Sequence, residues 1–157
     1  TQITVTTPTV SALSKLWPIP AGDAKAGTKY TLEVWGSGEN ESNDPWAPIF
    51  VLGGSSYYIV NVPTGSDWVS GLLSGWKAQF QFTVISTGTS GVVIAAGRFE
   101  VGEPGTSSNT YFSWYSGGTL NMDTTIANSF NLDWRWWSVP GSPTITSYAS
   151  SLERVGP

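Results

Sequence analysis

The chain has 157 residues, seven cations against eleven anions, nine tryptophans, and neither histidine nor cysteine. That length suits one domain burying roughly 70% of its unfolded surface. The missing side chains exclude disulfides, Ser-His-Asp and Cys-His catalysis, zinc fingers and histidine-ligated iron sites.

Charged residues make up 11% of the chain, against roughly 25% in ordinary soluble domains. The seven cations form no basic block, which argues against nucleic acid as a partner. No apolar run approaches the ~20 residues of a membrane span, and no stretch reads as a secretory leader. The polar surface must be built from Ser, Thr, Asn and Gly.

In chain order, residues 2–5 alternate as a first strand that Pro8 ends. Residues 12–19 form a second, with Leu16 and Trp17 half-buried and Pro18 and Pro20 marking an edge or exit. Residues 28–35 form the clearest early strand: Tyr30, Leu32 and Val34 point one way, and Thr31, Glu33 and Trp35 the other. Residues 36–48 read as a long polar loop. Gly53-Gly54-Ser55-Ser56 joins strands 49–52 and 57–62 as a hairpin. Ser66 or Asp67 caps one helical turn at most, since Gly71 and Gly75 disfavour a longer helix.

Residues 79–86 alternate, with Phe80, Phe82 and Val84 on one face. Residues 92–101 follow as an apolar strand in which Gly97 marks a bulge. Residues 103–109 are a loop, 111–115 an aromatic strand, and Gly117-Gly118 a turn. Residues 123–127 lead into a strand at 129–137. There Leu132, Trp134 and Trp136 oppose Asp133, Arg135 and Trp137. Val139-Pro140-Gly141 breaks it, and 144–155 is the last strand. About eight to ten strands without crossover helices predict an all-β, antiparallel sandwich with a jelly-roll-like layout, as one domain over residues 1–157.

The loop Glu39-Asn40-Glu41-Ser42-Asn43-Asp44 is rich in hard oxygen ligands but lacks the glycine and terminal Glu of an EF-hand, so it reads as a solvated acidic loop and no metal or cofactor is expected. Asn40-Glu41-Ser42 is also a glycosylation sequon. Glu33, Glu100 and Asp133 are the strand carboxylates on which a glycosidase would draw, and their mutual separation decides that reading. No Gly-x-Ser-x-Gly elbow is present.

Nine tryptophans exceed what one small core needs. Trp46, Trp114, Tyr115 and Trp137 are therefore candidates for stacking on sugar rings or contacting another subunit, and the surplus points to an oligomer.

Two stretches carry a resemblance. The first runs from Ile19-Pro20-Ala21-Gly22-Asp23 through Thr28-Lys29-Tyr30-Thr31-Leu32-Glu33-Val34-Trp35-Gly36. The second is Ser142-Pro143-Thr144-Ile145-Thr146-Ser147 with Leu152-Glu153-Arg154-Val155. Their layout resembles small β-rich structural proteins of tailed bacteriophages, particularly those of actinobacterial hosts. The resemblance implies a non-enzymatic virion component, a homotrimeric jelly-roll module that decorates and stabilises the capsid. Its partner would be the major capsid or tail protein. The alternatives are a receptor-binding tail module or a carbohydrate-binding module that contacts host glycans through exposed Trp and Tyr.

Overall fold

A computed structural model describes residues 1–40, 46–58, 74–102, 109–137 and 142–157. The strands are β1 (Ile3–Val5), β2 (Ser11–Ala12), β3 (Trp17–Ile19), β4 (Lys29–Glu39), β5 (Trp46–Leu52), β6 (Ser55–Tyr58), β7 (Ser74–Ser86), β8 (Val92–Gly102), β9 (Asn109–Tyr115), β10 (Leu120–Asn121), β11 (Asn128–Trp136) and β12 (Thr144–Val155). All pairings are antiparallel.

One sheet runs β1-β12-β4-β7-β8, with β9 and β10 both pairing β8; the other runs β2-β11-β5-β6, with β3 also on β11. The pairing is nested. The first strand meets the last, β3 meets β11, β4 meets β7, and β5 meets β6. Rolling that nest closed adds β4–β12 and β5–β11. This is the strand order of a jelly roll, a double Greek key that leaves few open edges. The additional strands β8, β9 and β10 widen one sheet beyond the eight strands such a fold requires.

Strand alternation produces the core. Tyr30, Leu32 and Val34 of β4, Phe80 and Phe82 of β7, and Phe99 of β8 point inward from the wide sheet. Phe130, Leu132, Trp134 and Trp136 of β11, with Trp46 and Phe50 of β5, meet them from the other. Two of the buried indoles are served by backbone acceptors: Trp76 Nε1 donates to Ser37 O at 3.0 Å and Trp136 Nε1 to Val5 O at 3.3 Å. Such partners remove the cost of burying an N–H donor. β5 is buried on both faces along its whole length, which explains why Ala47, Ile49 and Val51 alternate with its aromatic residues without becoming polar.

Several expectations are corrected. The strand 12–19 is two short pieces, β2 and β3, because Leu13 N and Ser14 N both donate to Leu132 O while Ser14 Oγ accepts from Leu132 N. That local knot interrupts the ladder and leaves Leu16 62% exposed rather than half-buried. The loop expected over 36–48 is strand at both ends: β4 continues through Gly36, Ser37 and Gly38, and β5 begins at Trp46.

Glycine is required at Gly36 by close approach. A Cβ there would lie 1.8 Å from the Thr146 carbonyl oxygen, beside the register shift between Ser147 and Ala149 of β12. Gly97 marks no bulge; it pairs in register with Phe80, and the irregularity falls at Val84/Ser86 instead. The capped turn at Ser66 and Asp67 and the strand end at 59–62 lie outside the described residues.

Candidate functional site

The outward residues of the wide sheet form a grid set by strand register. Trp35, Lys77, Glu100 and Tyr111 lie in one row across β4, β7, β8 and β9. Glu33, Gln79, Arg98 and Ser113 form the next row, followed by Thr31, Gln81, Ala96 and Tyr115. Each strand contributes every second residue, so a polar face follows from the same alternation that fills the core.

Relief on this face comes from side-chain size. Ala96 is small and stands between Gln81 and Tyr115, so the sheet sinks there into a shallow groove enclosing about 250 Å³. Gln79, Gln81, Arg98, Tyr111, Ser113 and Tyr115 line it. Adjoining hollows continue it along the strands, toward Lys77, Glu100 and Gly75 in one direction and toward Thr83 and Ile94 in the other.

The charges in the grid are matched. Lys77 Nζ lies 3.1 Å from Glu33 Oε1, the same oxygen that accepts from Gln79 Nε2 at 2.7 Å. Arg98 lies 3.9 Å from Glu100 and holds its guanidinium 4.0 Å from the centroid of the Tyr111 ring. A guanidinium stacked on the ring restrains it. Tyr111 is 49% exposed and Tyr115 is 74% exposed. The groove thus offers two exposed tyrosines, one of them stacked with Arg98, two side-chain amides and a hydroxyl, on strands rather than loops. Sites with a few polar groups placed among aromatic surfaces bind by orientation and contact.

The four aromatic residues singled out in the sequence do not converge. Trp46 is 1% exposed and belongs to the core, where it stacks on Trp134; this corrects its assignment as a contact residue. Trp114 also turns inward, packing against Phe50. Trp137 is 37% exposed and stacks with Arg135, whose guanidinium is 4.0 Å from its ring, but it follows β11 in the other sheet. Tyr115 alone of the four stands in the groove. Of its neighbours in the groove, Tyr111 and Ser113 share its own strand β9, whereas Gln79 and Gln81 stand on β7 and Arg98 on β8. Alternation along β9 joins Tyr111, Ser113 and Tyr115, but only the order β7-β8-β9 brings Gln79, Gln81 and Arg98 to them.

The strand carboxylates separate in the same way. Glu33 and Glu100 share the outer face of the wide sheet, but β7 runs between their strands and each has its own cation. Asp133 lies on β11 in the other sheet, with its carboxyl raised above the ordinary range by burial; the Asn131 amide, donating to Oδ1 at 2.5 Å, opposes that shift. Of the acidic loop, Glu39 ends β4 and Asn40 is buried, while residues 41–44 lie outside the described residues.

Comparison with protein-family models, curated proteins and solved structures finds no match to this chain.

Proposed function

We propose that the protein is a non-enzymatic virion component of a bacteriophage, a jelly-roll attachment module that binds a host surface through the outer face of β7, β8 and β9. The observation that carries the binding part is the groove: two exposed tyrosines set beside Gln79, Gln81 and Ser113 on one rigid sheet. The virion part is supported by the resemblance over residues 19–36 and 142–155. Nested strand order adds to that support, since it recurs in capsid and lectin domains, an analogy of fold and not of site.

Of the virion roles the sequence allows, receptor binding accounts for this face better than capsid decoration. Decoration by burial calls for a broad apolar patch. This face is polar with exposed rings, as a contact surface for a hydrated ligand would be.

Labelled protein applied to actinobacterial cell envelopes tests the reading. Saturable binding is expected, reduced at least tenfold by Tyr115→Ala and by Arg98→Ala at unchanged melting temperature. Equal binding by both variants and the parent protein would remove it.

A further inference from the structure

We infer that the groove on β7–β9 takes a linear, electrically neutral polysaccharide chain lying along the strands; this rests on the binding role proposed for the same face. Direction comes from the shape. The hollows follow one another from Gly75 and Gly102 past Gln79 and Arg98 to Thr83 and Ile94, along the strands rather than across them. From Gly75 to Thr83 a strand rises about 26 Å, at roughly 3.3 Å per residue. That is room for several sugar rings in a row and far more than one monosaccharide needs.

Neutrality comes from the charges. Lys77 is paired with Glu33 and Arg98 with Glu100, two cations against two anions. A uronic-acid or phosphate-bearing chain approaching either cation would meet that cation's carboxylate partner beside it and gain little net attraction.

The sugar class comes from the remaining groups. The Gln81 amide and Ser113 hydroxyl line the groove, and among the described residues neither side chain has a hydrogen-bond partner. An amide offers donors and an acceptor, and a hydroxyl offers both, which matches the mixed pattern of sugar hydroxyls. Tyr115 presents an open ring for the apolar face of a pyranose, and Tyr111 stands on the same face four residues back along β9. The sheet fixes the backbone from which these groups project, so binding has to order side chains but no main chain.

The test is calorimetric titration with an array of neutral linear glucan, mannan and galactan oligosaccharides of increasing length, with polygalacturonate alongside. Affinity is expected to climb with chain length, level off once the groove is filled, and change little between low and high salt. Tyr115→Ala and Gln81→Ala should each weaken it tenfold or more, whereas Trp137→Ala, on the other sheet, should leave it unchanged. Failure of every neutral chain to bind, tighter binding of polygalacturonate, or indifference to both groove variants would each overturn the inference. If no neutral chain binds while Tyr115→Ala still abolishes envelope attachment, the groove keeps its binding role and loses this ligand. Loss of neither overturns both.

Discussion

Trp46 and Trp134 lie face to face, with ring centroids 4.9 Å apart and planes 10° from parallel. They come from adjacent strands of one sheet, yet Phe99 of the opposite sheet touches both, at 5.2 Å and 5.3 Å. The three rings are therefore a joint between the two layers of the sandwich. Aromatic pairs of this kind add to the area they bury.

Truncating that joint should be costly. Phe99→Ala is expected to destabilise the fold by about 3–5 kcal/mol, the range for emptying a buried aromatic site. Urea unfolding followed by tryptophan fluorescence reads it directly. A loss near zero would mean that the sheets are not held together there.

Gly36→Ala should rival it although it adds only a methyl group. The added carbon would meet the main-chain oxygen of Thr146 at 1.8 Å, and backbone cannot rotate away as a side chain does. β4 and β12 must part, or the protein fails to fold. Gly75→Ala, on the neighbouring strand with open space around it, is the matched control and should be tolerated. Comparable melting temperatures for the two variants would contradict the close approach.

Tyr30 links the early turn to the end of the chain. Its hydroxyl donates to Asp23 Oδ2 at 2.6 Å, and Arg154 Nε lies 3.2 Å from the same oxygen. Burial first, and the Asp23 carboxylate second, push the phenol up to about 12, with Arg154 opposing. A group whose folded value is raised contributes stability in full below its unfolded value, about 10 for tyrosine. That contribution fades as pH climbs from there toward 12. Alkaline melting curves should show this loss in the parent protein, and Tyr30→Phe should remove it.

Asp133 bears the opposite sign from most surface carboxylates. Burial raises it, so the folded state favours the protonated form. Its contribution is greatest at acid pH and is lost as pH rises through the raised value. Asp133→Asn, which keeps an acceptor for the Asn131 amide, should therefore increase the melting temperature more at pH 7 than at pH 4. An equal change at both would show that the carboxyl titrates as an ordinary one.

Two residues show where local pattern stops. Trp46 sits between Pro45 and Pro48 in a polar stretch, and nothing nearby signals that it opens a central strand. It is buried because β5 pairs with β11, placing it opposite Trp136. Tyr115 stood among the candidate aromatics and is exposed, but the residues beside it in the groove were not legible, since Gln81 and Ala96 are ordinary outward positions on their own strands.

The sequence by itself determined the all-β class, the inward sets Tyr30/Leu32/Val34 and Leu132/Trp134/Trp136, and the absence of histidine and cysteine chemistry. Those follow from composition and from a two-residue period, and both are properties of the chain read locally. Tertiary structure alone decided which strands are neighbours, and hence that Gln79, Arg98 and Tyr111 face one groove while Trp137 faces away from it. Strand order and register are set by hydrogen bonds and core contacts between segments far apart in the chain, and no local period encodes them.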